Sequence, residues 1–173
     1  MKTDLQFPVG KFTYERPYSE AEREELILQI EQAPAQLRRA FQELPPGGLD
    51  TPYRPGGWTA RQVIHHVPES HMHSYIRFKF AMTEAEPTVK PYDEAVWALQ
   101  PDVVTAPPEV SLALLDALHR RWVAFLRTLK PDDWNRTFRH PEIGLVTLDR
   151  NLGLYAWHGR HHVAHLRLIG QAA

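Results

Sequence analysis

Residues 109–129, EVSLALLDALHRRWVAFLRTL, carry the strongest helical pattern in the chain. Apolar side chains recur there at helical spacing and form one stripe: Leu112, Leu115, Leu118, Trp122, Phe125 and Leu129. Such a stripe is typical of a helix that buries one face against other helices. Pro107 and Pro108 precede it and Pro131 follows it. We therefore predict an amphipathic helix that begins near Glu109 and ends before Pro131.

Three further segments show apolar residues at helical spacing. The first two open with capping boxes, in which Ser19 is followed by Glu22 and Thr59 is followed by Gln62. The predicted helical ranges are 19–44, 59–82 and 147–169.

Prolines and one long connection shape the expected topology. Pro34 should kink the first helix and Pro68 should interrupt the second. Residues 83–108 form a long proline-rich connection, which suits a crossover between distant or parallel helices. Only residues 145–147 are expected to be extended. These features predict an all-α fold, a four-helix bundle with a long crossover connection.

Length, composition and charge exclude several classes of protein. A chain of 173 residues predicts one domain, 1–173, with residues 1–18 as an extension packed on the bundle. The absence of cysteine excludes disulfides, thiolate metal sites and a cysteine nucleophile. A net charge of −1 gives no basis for binding nucleic acid or an anionic membrane. No apolar run is long enough to span a bilayer, and the N-terminus lacks a signal-peptide core, so we expect a cytoplasmic protein.

The chain has 10 histidines, and eight of them fall in two clusters, at residues 65–73 and 158–165. An α-helix turns about 100° per residue, so the angle between each histidine and the apolar stripe follows from its position. In the last helix, His158 and His162 lie closest to that stripe. His161 is expected toward solvent or the edge of a cleft. The pair one turn apart can bind one metal ion jointly.

The second helix offers two candidates that the angles do not separate fully. His66 lies nearer the core than His65, and His71 lies within the apolar stripe itself. We expect His65 and His73 at the surface. Two histidines are expected to be ordinary core residues with one hydrogen bond each: His119 and His140.

Clustered histidines on facing helices are typical of a metal site in a bundle core. Several buried imidazoles side by side each need a polar partner, and one shared ion satisfies them together. Imidazole suits zinc, copper, nickel and iron, and a catalytic zinc usually keeps three protein ligands and one open position. The spacing therefore predicts a metal site built from His158, His162 and one histidine of the second helix.

Residues 49–66, LDTPYRPGGWTARQVIHH, resemble the corresponding motif of the YfiT-type branch of the DinB-like superfamily. The similarity extends from Phe7 to Leu166 and includes four further motifs, at residues 70–72, 74–79, 91–94 and 153–158. This resemblance implies a four-helix bundle with one divalent metal held by His66, His158 and His162. Zinc is the expected metal, with nickel as the alternative.

The resemblance also implies a function and a setting. Members of this branch are described as metal-dependent hydrolases, often homodimeric and cytoplasmic. We therefore expect a small-molecule substrate, a homodimer, and no nucleic-acid or membrane partner. Trp97 and Trp134 lie off the strong apolar stripes, which adds apolar surface for a partner.

Three functions are compatible with such a site. In a hydrolase, the metal activates water, and Glu69 is a candidate base or hydrogen-bond acceptor unless it is simply solvated. Tyr155 can donate to a developing oxyanion, or can be a plain core aromatic. No residue is identified as catalytic by the pattern alone.

The second function is thiol transfer, which relatives in the wider superfamily carry out with bacillithiol or mycothiol. A metal deprotonates such a thiol, and three arginines are candidate clamps for an anionic one: Arg54, Arg61 and Arg160. The third function is metal binding without turnover. It needs a closed coordination sphere, for example with His71 as the fourth ligand.

Overall fold

Four long helices make up the core of the fold in the computed structural model, which describes residues 4–171. Two short helices lie between the second and third long helix, and a β-hairpin precedes the last one. The helices are α1 (Glu20–Gln42), α2 (Ala60–Thr83), α3 (Glu94–Trp97), α4 (Pro101–Thr105), α5 (Pro108–Leu126) and α6 (Leu148–Gln171); the strands are β1 (Thr137–His140) and β2 (Gly144–Thr147). The all-α bundle predicted from the sequence is confirmed, and α5 ends about one turn earlier than expected.

Both capping boxes form as predicted. The Thr59 hydroxyl accepts from the Gln62 amide at 3.2 Å, and the Gln62 side chain accepts from the Thr59 amide at 2.9 Å. The expected interruption at Pro68 is wrong, because α2 runs through it without a break. Pro68 and Pro34 are both buried inside continuous helices. Packing of the flanking residues evidently outweighs the loss of one backbone hydrogen bond.

The helices are arranged so that α2 packs against α5 and α6, while α1 packs against the same two helices. Contacts between α2 and α5 join the N-terminal part of one helix to the N-terminal part of the other, and the C-terminal parts likewise. His65 meets Ser111, His71 meets His119, and Phe78 meets Trp122. These two helices are therefore parallel, which explains why the chain needs the long crossover at residues 84–107 between them.

The β-hairpin closes one end of the bundle. Its strands pair antiparallel, with Phe138 opposite Val146, and both side chains are buried. The extended segment predicted at residues 145–147 is thus part of β2, while β1 was not predicted. The other edge of β1 pairs with the crossover, because the Val89 amide donates to the Arg139 carbonyl at 3.0 Å.

The apolar core is divided into two halves by a layer of histidines. One half surrounds Phe78 and Trp122, and the other surrounds Val63 and Leu115. Along α5 and α6, the histidines fall between the residues that belong to the two halves. We call this set the histidine layer: His66, His71, His119, His158 and His162.

The segment before α1 lies along α6. The buried Asp149 carboxylate accepts hydrogen bonds from the Tyr14 hydroxyl and the Tyr18 amide, both at 2.9 Å, and from Arg23 Nε at 2.6 Å. The Trp157 indole donates to the Gly10 carbonyl at 2.9 Å. Residues 1–3 and 172–173 of the predicted domain lie outside the described residues. Within residues 4–171, no helix combines the length and apolarity needed to cross a bilayer.

Candidate metal centre

Three imidazoles from two antiparallel helices converge at the middle of the bundle. The Nε2 atom of His158 lies 3.3 Å from Nε2 of His66 and 3.2 Å from Nε2 of His162. One ligand atom from each residue lies within 4.8 Å of the others. With Zn–N bonds of about 2.0–2.1 Å, neighbouring ligand nitrogens of a tetrahedral zinc lie about 3.3–3.4 Å apart. The two shorter separations match that value.

A chain of hydrogen bonds determines which nitrogen of His158 carries its proton. The Ile30 carbonyl can only accept, so His119 Nδ1, at 2.6 Å, carries a proton and donates it. Burial lowers the pKa of His119 to about 4, so the ring is neutral and its Nε2 accepts from His71 Nδ1 at 2.8 Å. His71 Nε2 then accepts from His158 Nδ1 at 3.0 Å. The lone pair of His158 is left on Nε2, facing the other two imidazoles.

A second chain does the same for His162. The Gln6 carbonyl accepts from His165 Nε2 at 3.2 Å, which leaves the lone pair of a neutral His165 on Nδ1. Burial lowers the pKa of His165 to about 4, which keeps it neutral. His162 Nδ1, at 3.4 Å, is then the donor to His165 Nδ1. The lone pair of His162 also lies on Nε2.

His66 is oriented by packing. Its Nδ1 is buried and has no hydrogen-bond partner among the described residues. The ring meets the edge of Trp58, with centroids 4.7 Å apart and planes at 63°. Burial lowers the pKa of His66 to about 4, so this imidazole is neutral near pH 7.

Lone pairs that face each other at 3.2 Å repel unless a cation or a proton lies between them. Burial holds the pKa of His158 and His162 well below the ordinary value, which disfavours a proton. A divalent cation satisfies all three nitrogens at once and costs no protonation. The donor set, its neutrality and its spacing therefore fit a metal ion, and occupancy of this site stays a prediction.

The remaining histidines of the two clusters differ from the sequence expectations in several ways. His65 is buried, with Nδ1 2.7 Å from the Ser111 hydroxyl, so the surface assignment is wrong. His161 is 7% exposed and lines the cleft edge, so only the solvent alternative is wrong. His73 is partly exposed and stacks on Tyr92 at 4.2 Å.

Outside the clusters, each histidine was expected to be a core residue with one hydrogen bond, which is wrong for His119 and confirmed for His140. His119 makes two hydrogen bonds, one to Ile30 and one to His71. His140 is buried, its Nδ1 accepts one hydrogen bond from the Glu142 amide at 3.3 Å, and it also lines the cleft beside the three imidazoles. A second group of histidines that could hold an ion shares His162 with the first: His161, His162 and His165. One neutral ring cannot bind metals through both nitrogens, and here Nδ1 of His162 is already bonded to His165.

The three imidazoles open into a cleft of about 490 Å³. Of the arginines named as candidate clamps, Arg54 lines this cleft. Arg61 instead binds Asp50 through two hydrogen bonds of 2.7 and 3.1 Å, and Arg160 is exposed outside the lining. Glu69 is also absent from the lining, although burial raises its pKa.

Tyr155 is a core aromatic that packs on His158, with ring centroids 5.5 Å apart. The sequence analysis missed three residues that border the cleft or support it: Tyr92, Arg77 and His165. Arg77 could have been found, because it follows His66 by 11 residues, which is about three helical turns. Tyr92 and the Gln6 partner of His165 lie on other segments and left no local signal.

The fold and the site together define the class: a four-helix bundle with a candidate metal site of three converging imidazoles. The chain belongs to the DinB superfamily, whose family model matches residues 29–166. It is 54% identical over 163 residues to a Bacillus cereus (strain B4264) protein named "Putative metal-dependent hydrolase", covering 94% of each chain. A Bacillus mycoides (strain KBAB4) protein of the same name is 55% identical over the same length and coverage.

Solved structures agree with this family. YfiT from Bacillus subtilis, described as "a probable metal-dependent hydrolase with an unusual four-helix bundle topology", is 45% identical with a TM-score of 0.94, covering 97% of each chain. A mycothiol-dependent maleylpyruvate isomerase shares the fold alone, at 17% identity and a TM-score of 0.66, covering 83% of this chain and 60% of that one. The resemblance on which the sequence analysis relied is confirmed.

Proposed function

We propose that the chain is a metal-dependent hydrolase that acts on a small molecule, with one divalent metal, zinc first and nickel second. His66, His158 and His162 would hold the ion through Nε2. The observation that carries this proposal is the pair of hydrogen-bond chains, because they leave both α6 lone pairs on the nitrogens that converge. The names of the relatives support the same activity.

When bound, a divalent metal with three imidazole ligands and an open position supplies Lewis-acid activation of water near neutral pH. The chain supplies the surroundings. Trp58 covers His66 on one side, and Phe7 packs near His161 with ring centroids 5.9 Å apart, so both limit solvent at the site. Burial raises the pKa of Tyr92 far above neutrality, so its hydroxyl stays protonated and can donate a hydrogen bond within the cleft.

Two alternatives make different demands on the same residues. Metal binding without turnover needs a fourth protein ligand, and the named candidate, His71, has both its nitrogens engaged with His119 and His158. The engagement of His71 therefore supports a metal site whose fourth coordination position is open. Thiol transfer uses the same open site with a thiolate in place of water. The two enzymes are separated by assay.

The experiment begins with metal content. Elemental analysis of the chain, purified without a histidine tag, should give one divalent ion per chain. His158→Ala should lose it, and the control His73→Ala should keep it, because His73 stacks on Tyr92 away from the three Nε2 atoms. Full metal content in His158→Ala would refute the ligand set.

Activity is then measured on the metal-loaded chain. Panels of esters and amides should show cleavage that a chelator abolishes and zinc restores. Bacillithiol with a bimane electrophile should show no enhancement. Chelator-sensitive thiol conjugation without hydrolysis would overturn the hydrolase proposal in favour of thiol transfer.

We also propose a homodimer. Exposed apolar side chains on α3, α4 and the turn between them support it, among them Val96, Leu99 and Val104. The expectation that Trp134 adds to this surface is wrong, since it is 5% exposed and packs on Phe78. Size-exclusion chromatography with light scattering should give about 40 kDa, twice the 20.0 kDa of one chain.

A further inference from the structure

Arg77 is a buried cation in the cleft that the proposed function leaves unused. It is 9% exposed and lines the cleft that contains the three imidazoles. Its Nε has no hydrogen-bond partner, and none of the salt bridges found within residues 4–171 includes this side chain. A guanidinium that is mostly buried, with an unpartnered Nε and no salt bridge among the described residues, is unfavourable, so an anionic ligand in the cleft would stabilise it.

Arg77 lies on the same face of α2 as the candidate metal ligand His66. Eleven residues separate them, which places their Cα atoms about 16 Å apart along the axis and rotates them by only about 20°. Long helical side chains lean toward the N-terminus of their helix, so that of Arg77 extends toward His66. The guanidinium and the three imidazoles therefore border different parts of one cleft.

The groups around Arg77 do not neutralise it. Burial lowers the pKa of His140 and of His73, and the nearby charge of Arg77 lowers both further. Both imidazoles are therefore neutral near pH 7. Two carboxylates line the cleft, Glu94 and Glu142, but both are exposed and neither forms a salt bridge with Arg77 within 4.0 Å. The wall near Arg77 is therefore left with uncompensated positive charge.

We propose that Arg77 binds a carboxylate of the substrate and so restricts the reaction to carboxylate-bearing small molecules. The planar fork of a guanidinium matches a carboxylate through two parallel hydrogen bonds. Arg54, at the cleft rim, has a buried Nε without a partner among the described residues and adds a second positive charge. This inference rests on the proposed function, because it names the substrate class for the same site.

The test measures binding of 4-fluorophenylacetate and of its neutral amide, 4-fluorophenylacetamide, by ¹⁹F NMR titration of the metal-loaded full chain. Wild type should prefer the acid at least tenfold. Arg77→Met should lose most of this preference, and what remains should come from the metal and Arg54. Arg77→Lys keeps the charge and loses the fork, so it should fall between the two. The matched control is Arg120→Met, because Arg120 is exposed on α5 and pairs with Asp116 outside the cleft.

A bound metal also attracts carboxylates, so the titration is repeated after chelator treatment. Preference for the acid that persists without metal and is mostly lost in Arg77→Met supports the inference, even where the hydrolase assays fail. Preference that disappears with the metal and is unchanged in Arg77→Met refutes the inference and leaves the metal site intact. Equal binding of acid and amide by wild type refutes it as well.

Thermal stability separates a binding role from a structural one. Met has a similar length and no charge, so Arg77→Met should raise the melting temperature by about 2 °C or more if the guanidinium is uncompensated without ligand. A lower melting temperature would mean that Arg77 stabilises the fold, and that result would overturn the assignment. Arg77→Lys gives a folded comparison if Arg77→Met does not fold.

Discussion

Replacing His119 should weaken metal binding although this residue does not touch the three converging nitrogens. His119→Phe keeps a ring of similar size against Trp122 and removes both hydrogen bonds of the imidazole, to the Ile30 carbonyl at 2.6 Å and to His71 at 2.8 Å. His71 Nδ1 then has no acceptor, so nothing obliges its proton to stay there. The proton of His158 can move to Nε2, the atom that would bind the metal.

The expected size follows from measured effects of such hydrogen-bond partners, whose removal typically costs 10–100-fold in metal affinity. That range corresponds to about 1.4–2.7 kcal/mol. Stability should fall as well, because the buried Ile30 carbonyl and His71 Nδ1 lose a partner at about 1–3 kcal/mol each. His119→Gln offers a donor and an acceptor from one amide, so we expect it to recover part of both losses.

The assay is a competition titration with a chromogenic zinc chelator, well below the melting temperature of each variant. The absorption spectrum of the Co²⁺-loaded chain reports the coordination geometry in parallel. His73→Phe is the control, because a phenyl ring preserves the stacking on Tyr92 and His73 belongs to neither hydrogen-bond chain. Unchanged zinc affinity in His119→Phe, or an equal loss in His73→Phe, would refute the idea that the chain of imidazoles determines which nitrogen of His158 is free to bind the metal.

Three further predictions concern stability. Metal-free protein should lose stability as the pH falls from 6.5 toward 4, because burial lowers the pKa of folded His119 to about 4 while the unfolded residue takes up its proton near 6.5. The contribution of this residue is about 3 kcal/mol at most. Urea unfolding at several pH values should show that the free energy of unfolding depends less steeply on pH in His119→Gln than in wild type. Asp149→Asn should lower the free energy of unfolding by about 3 kcal/mol, because it removes a buried charge that accepts three hydrogen bonds. Asp50→Asn, which removes the exposed carboxylate of another ion pair, should lower it by less than about 1 kcal/mol in the same urea assay. Gly153→Ala should cost about 1–3 kcal/mol because its Cβ would overlap the Tyr18 hydroxyl, and the loss should vanish in a Tyr18→Ala background if that contact is the cause.

The helices and the converging histidines could be predicted because each depends on spacing within one element. His158 and His162 are one turn apart, so their shared direction is a property of α6 alone. The choice of His66 over His71 was not available from angles, since both lie toward the core. The resemblance selected His66, and the structure gives a physical reason, because both nitrogens of His71 are bonded to other imidazoles.

What the sequence could not show depends on partners from distant segments. His65 was expected at the surface because a helical wheel does not include Ser111, which lies 46 residues away and covers it. Trp134 was placed outside the core for the same reason, since its burial comes from packing beneath Phe78. Strand β1 pairs on one edge with the crossover near Val89, a contact that no local pattern reveals.

The two hydrogen-bond chains share a design that links the backbone to the candidate metal centre. Each begins at a carbonyl that can only accept, Ile30 in α1 or Gln6 before it, and each passes through neutral imidazoles that have one donor and one acceptor. Such a chain has one allowed direction, so the last ring must present its lone pair to the site. Burial keeps each ring neutral, and this is required because a protonated ring has two donors and no acceptor, so it could not accept the hydrogen bond from the next ring. The same low polarity that makes these histidines costly to bury therefore keeps the ligand nitrogens ready for a cation.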